Sequence, residues 1–351
     1  MKNPISFLVC CAVLFLFSCN EKKKSPEDKE VTTISEIEKP LTIAFASCND
    51  QDRPQPLWQS IIQNEPKAFV WGGDNVYADT ADLEKMKNDY NKVANNPSYK
   101  KLAENVEIIG TWDDHDYGKN DAGNEWEKKN DAKTLLLDFL EYPDTAKVRS
   151  RKGVYHSRIL EGNGGSVKLI LLDTRYFRTA LKKGEDPAVR YSAWPKNHSG
   201  TILGDEQWKW LENELKDDTT EFTVINTSIQ FLSDQHGWEK WGNFPSEVTK
   251  FYELIRSAKA KNIVIVSGDR HLAEISVNDN AGLEYPLVDF TTSGLTHTWI
   301  TSGTEKNPYR VSNVVKQLNF GVLHFNFEEE TVTFQIRGED NFLYEEFTQQ
   351  Y

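Results

Sequence analysis

The chain has 351 residues, 38% of them apolar and 12% aromatic, with a formal charge of −13. That length suits one large folded domain, or a domain with long insertions. The acidity argues against general attraction to nucleic acid or anionic lipid. An anionic substrate would therefore need local positive charge, which bound metal ions can supply.

In chain order, the first element is Met1–Ser18: one basic residue, Lys2, then the apolar run Ile5–Phe17 and a small residue before Cys19. The run is too short for a membrane span of roughly 20 residues and fits the apolar core of a secretory leader. Leu16-Phe17-Ser18-Cys19 resembles a bacterial lipobox, in which Cys19 is diacylated and becomes the mature N-terminus. The alternative is a soluble-protein signal cut nearby. Dual acylation would anchor the chain stably at a membrane. The expectation is an exported protein, lipid-anchored to the bacterial cell envelope and facing the periplasm or the surface. No twin-arginine pair precedes the run, which points to the general secretory route. Residues 19–40 hold Lys, Glu, Ser and Thr but no aromatics, the composition of a flexible tether. The folded part is expected over 41–351.

Cysteine usage sharpens this. Of the four cysteines, Cys10 and Cys11 leave with the leader, Cys19 would carry lipid, and Cys48 alone remains in the folded part. A lone thiol in an oxidising compartment is a liability unless it is buried or coordinated.

Strand-like apolar runs then alternate with helical patterns, an α/β signature. Strands are expected at Leu41–Ser47, Ala68–Trp71, Val106–Trp112, Val167–Leu172, Phe222–Asn226 and Asn262–Ser267. Helices are expected at Pro56–Asn64, Ala81–Lys92, Asp205–Leu215 and Ser246–Ala260, and a hairpin at Gly321–Phe327 with Thr331–Arg337. Four strands end in chemistry-bearing residues: Ser47-Cys48-Asn49-Asp50, Gly72-Gly73-Asp74-Asn75-Val76-Tyr77, Thr111-Trp112-Asp113-Asp114-His115-Asp116, and Ser267-Gly268-Asp269-Arg270-His271. Open α/β sheets place their sites just beyond such strand ends. One Gly-Asp pair is ordinary turn chemistry. Four such endings in one chain point to a site, and a multivalent cation would relieve the repulsion among adjacent carboxylates.

The order of these segments resembles the metallophosphoesterase superfamily. Their form resembles one branch of it, the alkaline phosphatase D (PhoD-like) family: an Ala46-Ser47-Cys48 strand end, Gly73-Asp74 with Tyr77, Trp112–Asp116, and Gly268-Asp269 with His271. Leu172–Arg175, Leu203-Gly204 with Trp210-Leu211, Thr227–Phe231 and Ser293-Gly294 extend the likeness over most of Leu41 to about Trp299. Two features depart from the family pattern: only the tether precedes Leu41, and Asn75 and Ala78-Asp79 are atypical in the second motif.

The resemblance implies a calcineurin-like sandwich, two packed mixed sheets flanked by helices in α/β/β/α order. It implies Fe(III) with Ca(II) nearby, other divalent ions such as Zn, Mn or Mg being alternatives. The implied ligands are Cys48, Asp74, Tyr77, Asp114, Asp269 and His271, with Asp74 bridging and Asp114 on the second ion. Thiolate and phenolate suit trivalent iron, and carboxylates suit either ion. Asn120 or Asp121 would complete a calcium shell, or the loop is a plain turn. A hydroxide held by the metals would attack phosphorus in line. His115 would protonate the leaving oxygen, or else orient a ligand with Asp116 behind it. Arg270 and Arg175 would touch phosphate oxygens, or pair with carboxylates. His236 and His297, near Trp238, Trp241 and Trp299, line a pocket rim or cover packing. His156 and His198 have no supporting pattern, and His324 reads as structural. The expected activity is hydrolysis of phosphomonoesters or phosphodiesters of a phosphorylated small molecule or envelope component. A non-catalytic lipoprotein binding a phosphorylated or glycan ligand, and a nuclease, are the alternatives; the missing basic stripe counts against the nuclease, and no specific nucleic-acid binding is expected.

Overall fold

A computed structural model describes residues 40–351 apart from 217, 259, 302 and 304. The expected leader and Cys19 lie outside the described residues, as does all of the tether but Pro40. Strand β1 (Leu41–Ala46) is apolar apart from Thr42 and buried throughout. Ile43 and Phe45 enter one apolar cluster while Ala44 and Ala46 enter another, following the two-residue period of a strand. A strand buried on both faces belongs inside a layered fold.

The elements that follow are α1 (Trp58–Gln63), β2 (Ala68–Gly72), α2 (Leu83–Ala94), α3 (Pro97–Ala103), β3 (Glu107–Thr111), α4 (Asp114–Tyr117), α5 (Lys129–Phe139), α6 (Lys147–Ser150), β4 (His156–Gly162) and β5 (Gly165–Leu171). Then come the two-residue strands β6 (Lys182–Lys183) and β7 (Tyr191–Ser192), α7 (Gly204–Lys216), β8 (Phe222–Asn226), α8 (Pro245–Ser257), β9 (Ile263–Ser267), β10 (Ala273–Asn278) and β11 (Leu287–Thr292). The C-terminal strands are β12 (Phe320–Asn326), β13 (Thr331–Arg337) and β14 (Leu343–Gln350). Two six-stranded mixed sheets result, ordered β14-β13-β12-β1-β2-β3 and β10-β11-β9-β8-β5-β4. The parallel sets are β1-β2-β3 and β11-β9-β8-β5; β4, β10, β12, β13 and β14 run antiparallel to their neighbours.

Three apolar layers hold this together. Between the sheets lie Phe45, Val70, Leu169, Val224, Val266, Phe290 and Leu323. On the outer face of the first sheet, Phe69 and Trp71 meet Trp58, Met86, Tyr99 and Leu136 from α1, α2, α3 and α5. On the outer face of the second, Ile170, Ile225 and Ile265 meet Leu211, Leu215, Phe251 and Ile255 from α7 and α8. The α/β/β/α sandwich implied by the resemblance is therefore present. Helix starts follow local chemistry. The Asp82 carboxylate accepts from the Glu84 and Lys85 amides, which moves the start of α2 from the expected Ala81 to Leu83. Asn96 caps α3 in the same way, with Pro97 at its first position. Among the described residues no helix is long and apolar enough to cross a membrane.

Candidate metal centre

The parallel strands of both sheets deliver their C-terminal ends to one rim, and the turns there aim side chains into a shared cleft. Cys48 (φ 61°), Asp74 (φ 51°), Asp269 (φ 65°) and His271 (φ 52°) all occupy the left-handed backbone region, which non-glycine residues visit at a cost of about 1–3 kcal/mol each. Gly73 (φ 109°) makes the turn before Asp74 possible, because a Cβ there would lie 2.7 Å from Asp113 Cβ. At Gly268 close approach is the constraint: a Cβ would meet Ser47 Oγ at 2.5 Å.

These turns bring the expected ligands together. Cys48 Sγ lies 3.5 Å from Asp74 Oδ2 and 3.0 Å from Ser293 Oγ. The Tyr77 hydroxyl donates to the same Asp74 oxygen at 3.3 Å and lies 3.5 Å from His271 Nε2. The Ser293 hydroxyl oxygen also accepts the His271 amide at 2.8 Å, so β11 fixes Cys48 and His271 through one residue. Asp74, Asp114 and His115 place ligand atoms within 4.8 Å of one another, and so do Asp113, Asp114 and Asp269. Asn120 Nδ2 and the Asp121 amide donate to Asp114 Oδ2 at 2.9 and 2.6 Å. As placed, Asn120 thus supports Asp114 through its amide nitrogen.

The electrostatics are those of a buried anionic cluster that His115, Arg175 and Arg270 offset only in part. Burial, then Asp74, pushes the Cys48 thiol up. Burial also pushes Asp74, Tyr77 and Asp269 well above their ordinary values, with neighbouring acids adding to it. Asp114 goes the other way: burial opposes its charge, but His115, Arg175 and the Asp121 amide hold it below the usual carboxylate range. Burial likewise opposes protonation of His115, yet Asp114, Asp74 and Asp79 raise it to about 11. His271 is held neutral, down to about 3, by burial and by His297. Two buried oxygens, Asp113 Oδ2 and Asp114 Oδ1, have no hydrogen-bond partner. Buried acceptors left this way cost free energy, and a cation among them would satisfy both. The donor set of thiol, phenol, imidazole and carboxylates therefore fits a metal centre.

Other expected residues fall at different depths. His115 faces the cleft, and its Nδ1 meets Asp79 Oδ2 at 2.6 Å. The expected alternative partner, Asp116, instead accepts the Asp113 and Asn75 amides at 2.8 and 3.2 Å. From sequence Asp79 stands out only as an atypical residue of the second motif, without a role at the site; its spacing five residues beyond Asp74 is the signal that could have given it one. Arg270 lines the cleft with Nη2 3.0 Å from Glu305. Arg175 does not line it. This arginine is fully buried beneath Asp113, 2.5 Å from it, and pairs with Glu239 at 2.6 Å. Trp238, Trp299 and His297 line the cleft, whereas Trp241 and His236 are buried behind it. His324 bridges Thr42 and Gln335 across β1, β12 and β13, away from the cleft. The cleft holds about 300 Å³.

Comparison with known proteins places this arrangement. Alkaline phosphatase D of Bacillus subtilis (strain 168) is 24% identical over 271 residues, which cover 66% of this chain and 46% of that protein. The chain thus spans less than half of that relative's length. A solved structure of PhoD superposes with a TM-score of 0.68 at 17% identity, covering 89% of this chain and 70% of that one. A dimetal phosphatase from Danio rerio shares the fold at a TM-score of 0.52 and 11% identity, covering 90% of this chain and all of that one. The sequence model of the PhoD-like phosphatases matches residues 43–339, nearly the whole sandwich, and the chain belongs to the PhoD-like phosphatase family.

Proposed function

We propose that the chain hydrolyses phosphate esters in this cleft, and that Asp74 stands between two cation sites. The observation that supports it most is the convergence of Cys48, Tyr77, His271 and Asp74 beside the carboxylates of Asp113, Asp114 and Asp269. Cys48, Tyr77, His271 and Asp74 would hold a hard trivalent ion, for which Fe(III) is the assignment. Asp74 and Asp114 would hold a second ion of calcium type, with Asp269 alongside. When bound, such ions supply Lewis acidity toward phosphoryl oxygens and acidify water. The chain's own groups do the rest. Asp79 fixes the His115 ring through Nδ1 and, with Asp114 and Asp74, keeps it charged, leaving Nε2 to give its proton to the departing oxygen. Arg270 lines the cleft, where its guanidinium would meet a phosphoryl oxygen. Arg175 acts from below, holding Asp113 in place.

The test is phosphate or alcohol release from mono- and diesters by the purified 41–351 part, with metal analysis. Asp74→Asn should lose at least about a hundredfold in rate, the size of losing a group that stabilises transition-state charge. An unchanged rate would remove Asp74 from the site. Fe(III) on Tyr77 and Cys48 should also give a visible charge-transfer band, and a colourless, fully active zinc protein would refute the iron assignment. The same proposal includes export and lipid anchoring through Cys19. Acyl labelling of the full chain in cells, lost in Cys19→Ala, would support that, and labelling retained in Cys19→Ala would refute it.

A further inference from the structure

Beyond Tyr77 and His271, the rings of His297, Trp299 and Trp238 form a wall of the cleft that the chemistry above does not use. From Tyr77 a row of rings runs away from the carboxylates. Tyr77 meets His297 at 4.9 Å between centroids, His297 meets His271 at 4.5 Å, and His271 stacks on Trp299 at 4.4 Å with 20° between planes. Trp299 then meets Trp238 at 5.5 Å and 58°. Trp241, from the same loop as Trp238, is wholly buried in the layer under α7 and α8. The core is therefore sealed without the other two. Trp299 keeps 40% of its surface exposed although His271 stacks on its indole.

The charges around this wall say what it would accept. Each guanidinium lining the cleft already has a carboxylate: Arg53 with Asp50 at 2.9 Å, Arg270 with Glu305 at 3.0 Å, and Arg190 with Asp121. A second phosphate beside the scissile one would meet, among the described residues lining the cleft, only guanidinium groups whose charge a carboxylate already offsets, and it would face Asp50 and Asp121. A neutral, hydroxyl-bearing group would find acceptors in those carboxylates and donors in the guanidinium edges. A nucleobase gains most between two parallel faces, and the 58° between Trp238 and Trp299 does not provide them. The C–H face of a saturated ring needs only one. A volume of about 300 Å³ suits a group of one sugar ring at the small end of ligand pockets.

We propose that this wall is a leaving-group subsite for a pyranose ring, stacked on the exposed indole of Trp299 with its hydroxyls toward Asp50 and Asp121, so that the preferred substrates are sugar phosphate esters. This rests on the hydrolase reading only for which way the phosphoryl group points.

Binding can be read without turnover by using phosphonates. Titration calorimetry would compare glucopyranosyl methylphosphonate, the acyclic 3,4-dihydroxybutylphosphonate and an adenosine phosphonate on the metal-loaded protein. The pyranose compound should bind about tenfold tighter than the acyclic one, the scale of a good aromatic contact. Trp299→Ala should reduce that preference to within about twofold, Trp299→Phe should restore part of it, and affinity for the acyclic compound should hold. Equal binding of pyranose and acyclic compounds, equal loss of both in Trp299→Ala, or tighter binding of the adenosine compound would overturn the subsite. Hydrolysis of glycerol phosphate with no pyranose preference would sink this inference alone. Pyranose preference without any hydrolysis would uphold it and sink the hydrolase reading.

Discussion

Replacing Arg175 by methionine should damage the fold before it damages substrate binding. The guanidinium is fully buried, touches Asp113 at 2.5 Å and Glu239 at 2.6 Å, and shares Glu239 with Arg178 at 2.9 Å. Methionine fills much of the same volume, so the loss is one of charge. Asp113 would then keep a buried carboxylate with no countercharge beside it, while Glu239 would keep only Arg178. Breaking a buried pair by removing one partner costs about 3–5 kcal/mol, a large share of the 5–15 kcal/mol that stabilises a typical domain. For a domain of this length that is a fall in Tm of roughly 5–8 °C. Urea unfolding of wild type, Arg175→Met and Arg175→Met/Glu239→Gln would measure it, and the double variant should recover part of the loss because one orphaned charge has gone. If Arg175→Met unfolded within about 1 kcal/mol of wild type while KM rose, the arginine would be touching substrate and the buried-network argument would fail.

Three other outcomes follow from the same geometry. Asp79→Asn should lower kcat by roughly 10- to 100-fold, the usual loss when a group that orients a site residue is removed, and should move the alkaline limb of the rate profile to lower pH by releasing His115. Because the Asp79 side chain is 42% exposed, Tm should not move; a lower Tm with an unmoved pH limb would make the residue merely structural. Chelation should destabilise the wild-type protein, since an ion at a thousand times its Kd contributes about 4 kcal/mol, whereas Asp74→Asn should respond little to chelator in a thermal melt; equal responses would place the ion elsewhere. His156 is buried, with Nδ1 2.7 Å from the Val154 carbonyl and Nε2 2.5 Å from the Tyr142 hydroxyl, and burial pulls it down to about 4. Its contribution is present above the unfolded value near 6.5 and is lost as pH falls toward 4, up to about 3 kcal/mol. The slope of urea-unfolding free energy between pH 7 and 4 should be shallower in His156→Gln, and an equal slope would refute the assignment.

How much of this was legible in sequence depended on how local the signal was. β1, β2, β5, β8 and β9 are dominated by apolar residues, and the expected strands lie within a residue or two of them. β11 was missed because Asp289 interrupts it; the carboxylate is buried only because it takes the Phe231 and Leu232 amides and the Ser267 hydroxyl, contacts no local pattern announces. β14 is an edge strand with Glu345 and Glu346 in its middle, and so lacks the apolar alternation of its neighbours. α5 went unread because Lys128 at its start provides no side-chain cap. At the site, glycines and carboxylates at strand ends marked the side chains that converge on the cleft. The burial of Arg175 was not readable, since its partners lie 62 and 64 residues away.

Backbone conformation is where sequence reading stops and the site begins. Nothing in Ser47-Cys48-Asn49 says that Cys48 must take φ 61°, a conformation a thiol-bearing residue adopts only under constraint. The constraint comes from three strands at once. The Cys48 and Asn49 amides donate to the Gly73 and Asp74 carbonyls at 3.4 and 2.8 Å, while the Ser47 and Cys48 carbonyls accept the Leu295 and Thr296 amides at 3.1 and 3.3 Å. Neighbouring parallel strands β1 and β2, with the segment after β11, thus pin the turn from both sides. A strand continuing in extended form would alternate its side chains between faces. The left-handed step instead turns the thiol toward Asp74 and Ser293. The same device recurs at Asp74, Asp269 and His271, so four side chains of the cleft are aimed by strained turns rather than by their own flexibility. Strain of that kind survives only where the surrounding sheet over-determines it, which is why the site sits on the buried parallel strands and not on the antiparallel edge.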